Sequence, residues 1–204
     1  IFKDLNGDGK IDAAPGDALN AKGDFKTLGN GIPSVELGFS NRLTWKNWDM
    51  NVFFRAAFGH SLVNQFRAFY EPIDPGAINS YNRVVTSLAP HALDGSPLTQ
   101  AQYSSLYVEK ADFLRLDNMT IGYNVKLPSG GSFKSLRFYA SGQNLFIITK
   151  YKGIDPDPIL ADPGSVDNGA FLPATPPTPL AAGIDRRNNY FTAKTFTLGV
   201  TFGF

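Results

Sequence analysis

The sequence predicts an all-β protein made of long antiparallel strands that belong to a large membrane barrel. Apolar residues recur with a period of two over several long runs, which is typical of strands with two different faces. The 204 residues include 20 glycines and 14 prolines, and this favours turns over long helices. Short and long connections alternate between the runs, as they do in outer-membrane barrels.

The last run shows the period most clearly. Large apolar side chains occupy alternate positions, which are Phe196, Leu198, Val200, Phe202 and Phe204. Threonine or glycine stands at each position between them. An aromatic at the end of such a strand suits the interfacial girdle of a transmembrane barrel. The last strand of a soluble β-sandwich is the alternative interpretation of this stretch.

Residues 34–45 and 48–58 predict a hairpin around the two-residue turn Lys46-Asn47. Both arms have about the length that a tilted strand needs to cross a bilayer. Trp45 and Trp48 flank the turn on the apolar side, as residues of an interfacial belt do. The intervening polar positions of the two arms include Glu36, Arg42, Asp49, Asn51 and Arg55.

Residues 59–111 predict a long connection with one short helix over residues 61–70. His60 and His91 lie in this connection without partners at metal-ligand spacing. We therefore expect both histidines to be solvated loop residues.

Residues 112–125 predict a third strand whose apolar positions change phase near Asp117-Asn118. A β-bulge explains this change, and an apolar contact inside the barrel lumen explains it equally well. Residues 135–147 predict a fourth strand, with Arg137 and Gln143 on its polar side. Residues 148–189 contain seven prolines and predict an irregular, stiff loop before the last strand.

The connection lengths predict an orientation. Outer-membrane barrels have short periplasmic turns and long extracellular loops. The turns at 46–47 and 128–131 are then periplasmic, as is the C-terminus, and the three long segments are extracellular. Because five strands cannot close in lipid, we expect them to be part of a larger barrel.

The string DLNGDGKID, residues 4–12, resembles the first half of a calcium-binding loop of the EF-hand type. The candidate ligands are Asp4, Asn6, Asp8, the carbonyl of Lys10, Asp12 and, in a longer loop, Asp17. Pro15 stands where a bidentate glutamate is expected. A series of Asx-turns without a metal is the alternative.

Other features exclude several classes of protein. The net charge of +1 does not indicate nucleic-acid binding, and the absence of cysteine excludes disulfides and thiolate metal sites. The sequence lacks a nucleophile elbow, an H-E-x-x-H motif and a P-loop, so we expect no enzymatic activity. Its start lacks an initiator Met and a signal peptide, which predicts a portion of a longer protein.

Six strings, in order along nearly the whole chain, resemble one family. They are DLNGDGKID, LGNGIPSVELGFSNRLTWKNWDMNVFFRAAFG, VEKADFLRLDNMTIGYNV, LRFYASGQNLFIITKYKGIDPD, GIDRRNNY and TFTLGVTFGF. The family is that of the SusC/RagA-like TonB-dependent outer-membrane transporters of Bacteroidetes. The resemblance implies that residues 34–204 are the C-terminal five strands of a 22-stranded, plugged barrel. The connection lengths predict that residues 1–33, which carry the calcium-like motif, form an extracellular loop.

The resemblance also implies a function. In this family a SusD-like surface lipoprotein caps the barrel, and the pair imports glycans or peptides with energy passed on by TonB. The TonB-contacting segment and the plug would precede Ile1. The residues Phe196, Leu198, Val200, Phe202 and Phe204 resemble the signal that the barrel-assembly machinery reads.

These expectations assign roles to the polar residues and to the loops. We expect the lumen to be lined by Glu36, Arg42, Asp49, Asn51, Arg55, Arg137 and Gln143. We expect the loops at 59–111 and 148–189 to meet the lipoprotein or the cargo. The competing hypothesis is a soluble extracellular β-sandwich that binds a ligand and carries a dockerin-like calcium loop. A siderophore receptor is a weaker third option.

Overall fold

The computed structural model of the chain describes residues 5, 7, 26–71, 105–128, 130, 133–158, 165–167, 170–172, 182–186, 189 and 191–204. Five long strands form one antiparallel sheet. They are β1 (Val35–Trp45), β2 (Trp48–Phe58), β5 (Phe113–Asn124), β6 (Ser135–Thr149) and β10 (Thr195–Gly203). Their order across the sheet is β1-β2-β5-β6-β10, so each long strand is hydrogen-bonded to the long strand that follows it in the chain. The predicted strands and their antiparallel pairing are confirmed.

Shorter elements lie in the connections between these strands. They are β3 (Ser61–Asn64), helix α1 (Gln65–Tyr70), a 3₁₀ turn (Ser105–Tyr107), β4 (Val108–Lys110), β7 (Ser165–Asp167), β8 (Ala170–Leu172) and β9 (Ile184–Asp185). Strand β3 pairs with β4 on one side and with β9 on the other, while β7 and β8 form a hairpin. Among the described residues, no helix is long and apolar enough to cross a membrane.

Two predictions about the connections are wrong in part. The helix predicted over residues 61–70 begins only at Gln65, because Ser61–Asn64 pairs with both β4 and β9 as a strand. The segment 148–189, predicted to be irregular, contains the strands β7, β8 and β9. Sequence periodicity missed these strands because each has only two to four residues.

The register gives the five-stranded sheet two chemically different faces. We call apolar face the one that carries Leu37, Phe54, Ile121, Phe138 and Leu198, which share one side of the sheet through direct cross-strand pairing or alternation. Large side chains on this face are open to the surroundings. Leu198 is 85% exposed, Phe196 74% and Trp45 67%. We call polar face the opposite side, which carries charged and amide side chains.

A β-bulge at Asp117 explains the phase change in the third predicted strand. Between β2 and β5, Phe53 pairs with Asn118 and Phe54 with Leu116, so that Asp117 is an extra residue. Between β5 and β6, Asn144 and Leu145 stand opposite Asp117. Asn144 takes a positive φ of 52°, which asparagine tolerates better than most residues. The bulge keeps apolar side chains on one face along the whole of β5.

The two ends of the sheet differ in the length of their connections. At the end that we call the turn end, residues 46–47 join β1 to β2 and residues 125–134 join β5 to β6. At the opposite end, the loop end, the connections are residues 59–112 and 150–194. The predicted alternation of short and long connections is confirmed.

In the described part of the chain, the buried hydrophobic residues gather at the loop end. Leu62, Ala111 and Tyr151 form one buried cluster there. Close backbone packing supports this region, since a Cβ on Gly31 would lie 2.5 Å from the Cα of Gly183. All six calcium-loop candidates, like His91, lie outside the described residues: Asp4, Asn6, Asp8, Lys10, Asp12 and Asp17.

Candidate functional site on the polar face

All seven residues predicted to line a lumen lie on the polar face of the sheet. The register places them on this side, because cross-strand partners share a face and alternate residues return to it. They are Glu36, Arg42, Asp49, Asn51, Arg55, Arg137 and Gln143. The structure therefore groups the predicted set, and side-chain hydrogen bonds join two of its members.

This pair is Asp49 and Arg137 at the turn end. The Arg137 guanidinium donates from Nε to Asp49 Oδ1 at 3.0 Å and from Nη2 to Asp49 Oδ2 at 2.6 Å. Asn124 Nδ2 also donates to Asp49 Oδ1 at 3.0 Å. The Arg137 side chain crosses β5 to reach its partner, and a Cβ on Gly122 would lie 2.3 Å from Arg137 Nη2. Because Gly122 has no side chain, Arg137 can extend from β6 across β5 to β2.

Tyr139 continues this row toward the other edge of the sheet. Its ring centroid lies 5.3 Å from the Arg137 Cζ atom, which is within the range of a cation–π contact. A Cβ on Gly199 of β10 would lie 2.2 Å from Tyr139 Cζ, so the phenol ring lies over Gly199. Two glycines therefore let two large side chains lie along the wall of the polar face.

At the loop end, residues 150–158 fold back over the polar face. We call this stretch the inner segment. Its two carboxylates bind arginines of the sheet: Arg115 Nη2 donates to Asp155 Oδ1 at 2.5 Å, and Arg55 Nη1 lies 2.7 Å from Asp157 Oδ2. Arg55 Nε also donates to Asp117 at 2.8 Å. The inner segment is thereby bonded to both β2 and β5.

The Asp185 carboxylate holds the inner segment from the other side. Its Oδ2 accepts hydrogen bonds from the Tyr151 hydroxyl at 2.8 Å and from the Ile154 amide at 2.9 Å. The Asp155 amide lies at 3.5 Å, and Asn189 Nδ2 donates to Oδ1 at 3.2 Å. Asp185 is 0% exposed. Burial raises the pKa of Asp185, and its hydrogen bonds offset only part of this effect.

The same burial affects Tyr151. Desolvation and the neighbouring Asp185 carboxylate raise the pKa of Tyr151 far above its ordinary value. The phenol therefore stays protonated and acts as a hydrogen-bond donor to Asp185. Its ring folds back over Gly153, where a Cβ would lie 2.2 Å from the Tyr151 hydroxyl.

A second charged cluster joins helix α1 to β4. Arg67 donates from Nε to Glu71 Oε1 at 2.6 Å and also binds Glu109 through Nη1. The Lys152 amide donates to Glu109 Oε2 at 3.1 Å, which links this cluster to the inner segment. Burial disfavours the charged form of Arg67, but the two carboxylates outweigh it and raise the pKa of Arg67.

The expectation that His60 is a solvated loop residue is wrong. His60 is buried, with its ring edge-on to Phe113 at a centroid distance of 6.3 Å. Its Nε2 lies 3.0 Å from the Pro156 carbonyl oxygen, to which it donates in the matching tautomer. The inner segment covers His60. Because Pro156 is 96 positions away in the chain, the sequence around His60 does not predict this burial.

Sequence reasoning assigned no role to Arg115, Tyr151, Asp155, Asp157 or Asp185. One signal was present: the tripeptide Gly-Ile-Asp occurs at 153–155 and again at 183–185. Both aspartates of this repeat are buried in the network described above. The arrangement consists of paired and hydrogen-bonded charges, so it suits a fixed polar wall rather than covalent chemistry.

Comparison with family models finds no match. Curated relatives do match the chain. A TonB-dependent receptor P3 of Formosa agariphila is 29% identical over 210 residues, covering 100% of this chain and 19% of the relative. The TonB-dependent receptor SusC of Bacteroides thetaiotaomicron is 30% identical over 211 residues, covering 100% of this chain and 17% of the relative. The chain thus spans less than a fifth of the length of these relatives.

Solved structures of RagAB proteins superpose on the chain. A structure of the RagAB peptide transporter superposes with a TM-score of 0.59 and 25% identity, over 83% of this chain and 17% of that chain. The RagAB peptide importer in a closed-closed state gives a TM-score of 0.60 over 95% of this chain and 20% of that chain. At 22% identity, this second match supports the fold alone.

A two-faced antiparallel sheet with these relatives defines the chain as a segment of a TonB-dependent receptor of the outer membrane. Within that class, the chain belongs to the SusC/RagA-like family of transporters. The resemblance inferred from the sequence strings is confirmed, as is the all-β fold class. The relatives are named as receptors and transporters, which agrees with the expectation that the chain is not an enzyme.

Proposed function

We propose that the chain is part of a TonB-dependent active importer of glycans or peptides that works with a SusD-like surface lipoprotein. One observation carries this proposal: the sheet has an exposed apolar face and a polar face of fixed charges. The apolar face is suited to contact with lipid, and the polar face is suited to line a water-filled path for cargo. Closure of these strands within a 22-stranded barrel is part of the proposal.

The contrast between the faces can be tested with neighbouring positions on β10. Leu198 belongs to the apolar face and Thr197 to the polar face. A fluorescent label on Leu198→Cys should be quenched by brominated lipids, whereas a label on Thr197→Cys should not be. Equal quenching at both positions would argue against a lipid-facing apolar face.

The proposed orientation places the turn end and the C-terminus in the periplasm and the long loops outside the cell. Lys46 at the turn and Lys152 in the inner segment both have exposed side chains. In intact cells a membrane-impermeant maleimide should label Lys152→Cys, and it should label Lys46→Cys only after the outer membrane is permeabilised. The reverse pattern would invert the orientation.

The proposed cargo is supported by a similar solved structure, which is named as a peptide transporter. We expect cells with the full-length protein to take up labelled oligopeptides or oligosaccharides only when TonB is present. A purified complex should contain a lipoprotein with a SusD-like sequence. Uptake that persists without TonB would overturn the importer proposal, whichever cargo is used.

We also propose that the alternate apolar residues of β10 act as a barrel-assembly signal, as the family resemblance implies. Phe204 is 77% exposed and packs against Phe133 with ring centroids 5.3 Å apart. Phe204→Ala should lower the amount of heat-modifiable barrel in the outer membrane. Phe191→Ala, which removes a similarly exposed ring outside β10, is the control and should have a smaller effect. Equal effects would remove any special role for Phe204.

The soluble β-sandwich fits the structure less well. A sandwich covers one face of each sheet with a second sheet. In the described part of the chain, most large side chains of the apolar face remain exposed, Leu198 and Phe196 among them. The denatured mass of the native polypeptide separates the two hypotheses: a mass several times 22.2 kDa in outer membranes supports the importer, and a soluble chain near 22.2 kDa supports the sandwich.

Calcium binding by the loop at residues 1–33 stays a proposal based on the sequence. The Asp and Asn residues at alternate positions from Asp4 are suitable oxygen ligands. Calcium titrated into the purified protein should bind more weakly to the Asp8→Ala variant. Identical binding curves would favour Asx-turns without a metal.

A further inference from the structure

We propose that Asp185 is a positioning residue that holds the inner segment, residues 150–158, as a fixed wall of the cargo path. The wall presents the Arg55–Asp157 ion pair to passing cargo. This inference rests on the proposed import function, and it adds a role for a loop residue that touches neither the lipid face nor the pair itself.

Asp185 attaches the inner segment on one side through hydrogen bonds. One carboxylate oxygen receives the Tyr151 hydroxyl and the Ile154 amide within 2.9 Å, and the Asp155 amide at 3.5 Å. A buried carboxylate needs such donors because it has lost its water. Asp185 therefore fixes the backbone of the inner segment where the segment begins to cover the polar face.

Asp155 attaches the inner segment to the sheet on the other side. Asp155 shares its carboxylate among three donors: Arg115 Nη2, the Asp157 amide at 3.0 Å and Thr192 Oγ1 at 2.6 Å. These contacts join β5, the inner segment and the residues before β10. A segment bonded on both sides in this way has little freedom to move as a gate.

The inner segment leaves one ion pair, Arg55–Asp157, open to the surroundings. The side chains of Arg55 and Asp157 are 41% and 38% exposed, although their charged atoms are only 2.7 Å apart. Arg115 and Asp155, by contrast, are only 8% and 11% exposed. The exposed pair offers both donors and acceptors at one place. It therefore suits cargo rich in hydrogen-bonding groups, which peptide amides and sugar hydroxyls share.

The first experiment measures the mobility of the inner segment in the full-length protein. A nitroxide on Lys152→Cys should give a broad, immobilised spectrum in the otherwise unchanged protein and a sharp, mobile spectrum when Asp185→Ala is added. Asp185→Asn should keep the immobilised spectrum, because its amide oxygen can still accept the three donors. A nitroxide on Thr197→Cys in β10 is the control and should not respond to either change.

The outcomes are separable. Equal mobility in the Asp185→Ala and unchanged proteins would overturn the proposal, even where uptake is normal. Should Asp185→Ala fail to accumulate, Tyr151→Phe removes one donor, and its label should then be more mobile than in the unchanged protein. A Tyr151→Phe spectrum identical to that of the unchanged protein would likewise count against the proposal.

The second experiment links the wall to import. Asp185→Ala should raise the cargo concentration for half-maximal uptake about tenfold, with Asp185→Asn near the unchanged value. Asp157→Asn should raise it as well while leaving the nitroxide spectrum immobilised. A complete lack of uptake by the unchanged protein would defeat the import proposal but not the mobility result. Uptake in Asp185→Ala identical to the unchanged protein would defeat the proposed role in the cargo path.

Discussion

The two ends of the polar face carry the same kind of charge pair in different surroundings. At the turn end, Arg137 binds Asp49 across β5 with side chains that are 29% and 16% exposed. At the loop end, Arg115 binds Asp155 with side chains that are 8% and 11% exposed. The inner segment accounts for the difference. It covers the Arg115–Asp155 pair and excludes water from it, whereas the Asp49–Arg137 pair stays in contact with water.

This contrast teaches that pairing alone does not set the energetic role of a charge. An exposed pair is screened by water and salt, so it contributes little to stability. A buried pair must stay complete, because either partner alone would be an uncompensated charge. We therefore expect the turn end to tolerate substitution and the loop end to resist it.

The largest expected effect comes from breaking the buried pair. Arg115→Met keeps much of the side-chain volume but leaves Asp155 without its guanidinium. The free energy of unfolding in detergent micelles should fall by about 3–5 kcal/mol. Urea denaturation followed by fluorescence measures this value. A loss below about 1 kcal/mol would mean that Asp155 is well satisfied by its remaining donors.

The second-largest expected effect is a pH dependence of the free energy of unfolding, which arises from Asp185 at the loop end. Because the pKa of Asp185 is raised above its ordinary value of 3.8, the folded state binds the proton more tightly than the unfolded state. The stability from this residue is fully present below pH 3.8 and is lost as the pH rises through the raised pKa. An increase of one in the pKa of Asp185 changes the pH-dependent part of the free energy of unfolding by about 1.4 kcal/mol.

The comparison of the unchanged protein with Asp185→Asn isolates this contribution. The stability of the unchanged protein relative to the variant should fall as the pH rises from 4 to 8. Tyr151 stays protonated over this range because its own pKa is raised, so it adds no titration of its own. Parallel stability curves for the two proteins would show that Asp185 does not titrate in this range.

A smaller effect is expected at Gly122 of the turn end. Gly122→Ala places a methyl group in the path of the Arg137 guanidinium, which must then leave Asp49. The loss should not exceed about 1 kcal/mol, because a flexible side chain can move aside. In an Arg137→Met background the same substitution should cost nothing. If Gly122→Ala lowers the free energy of unfolding as much in that background, the loss comes from the backbone of β5 and not from Arg137.

The smallest effect is expected from Arg137→Met alone. The Asp49–Arg137 pair is partly exposed, so its removal should cost about 0.5 kcal/mol. The cost should shrink further when salt is raised, since screening weakens the pair in the unchanged protein. Unfolding of both proteins at low and high salt measures this. A cost as large as that of Arg115→Met would abolish the distinction between the two ends.

Much of the sheet could be predicted from the sequence. The alternation in 34–45 and 48–58 predicted β1 and β2, and the phase change near Asp117 allowed the bulge that the structure shows. The seven predicted polar positions share a face because alternation along a strand fixes the side on which a residue lies. These properties are local, so a single sequence contains them.

Side-chain partners could not be predicted in the same way. Asp49 and Arg137 are 88 positions apart, and Tyr151 and Asp185 are 34 apart. Polar residues in the proline-rich segments show no period, so nothing in the pattern separates Asp155 from a solvated loop aspartate. For the same reason His60 was expected in solvent, although the Pro156 carbonyl covers it.

The sequence by itself determined the strands, their two faces and the alternation of short and long connections, because these follow from backbone geometry and local composition. Only the tertiary structure decided that residues 150–158 lie over the polar face, and that Arg115 is buried there while Arg137 stays partly exposed. The physical reason is that burial depends on which distant segment excludes water from a charge, and that choice is made by the folded chain as a whole.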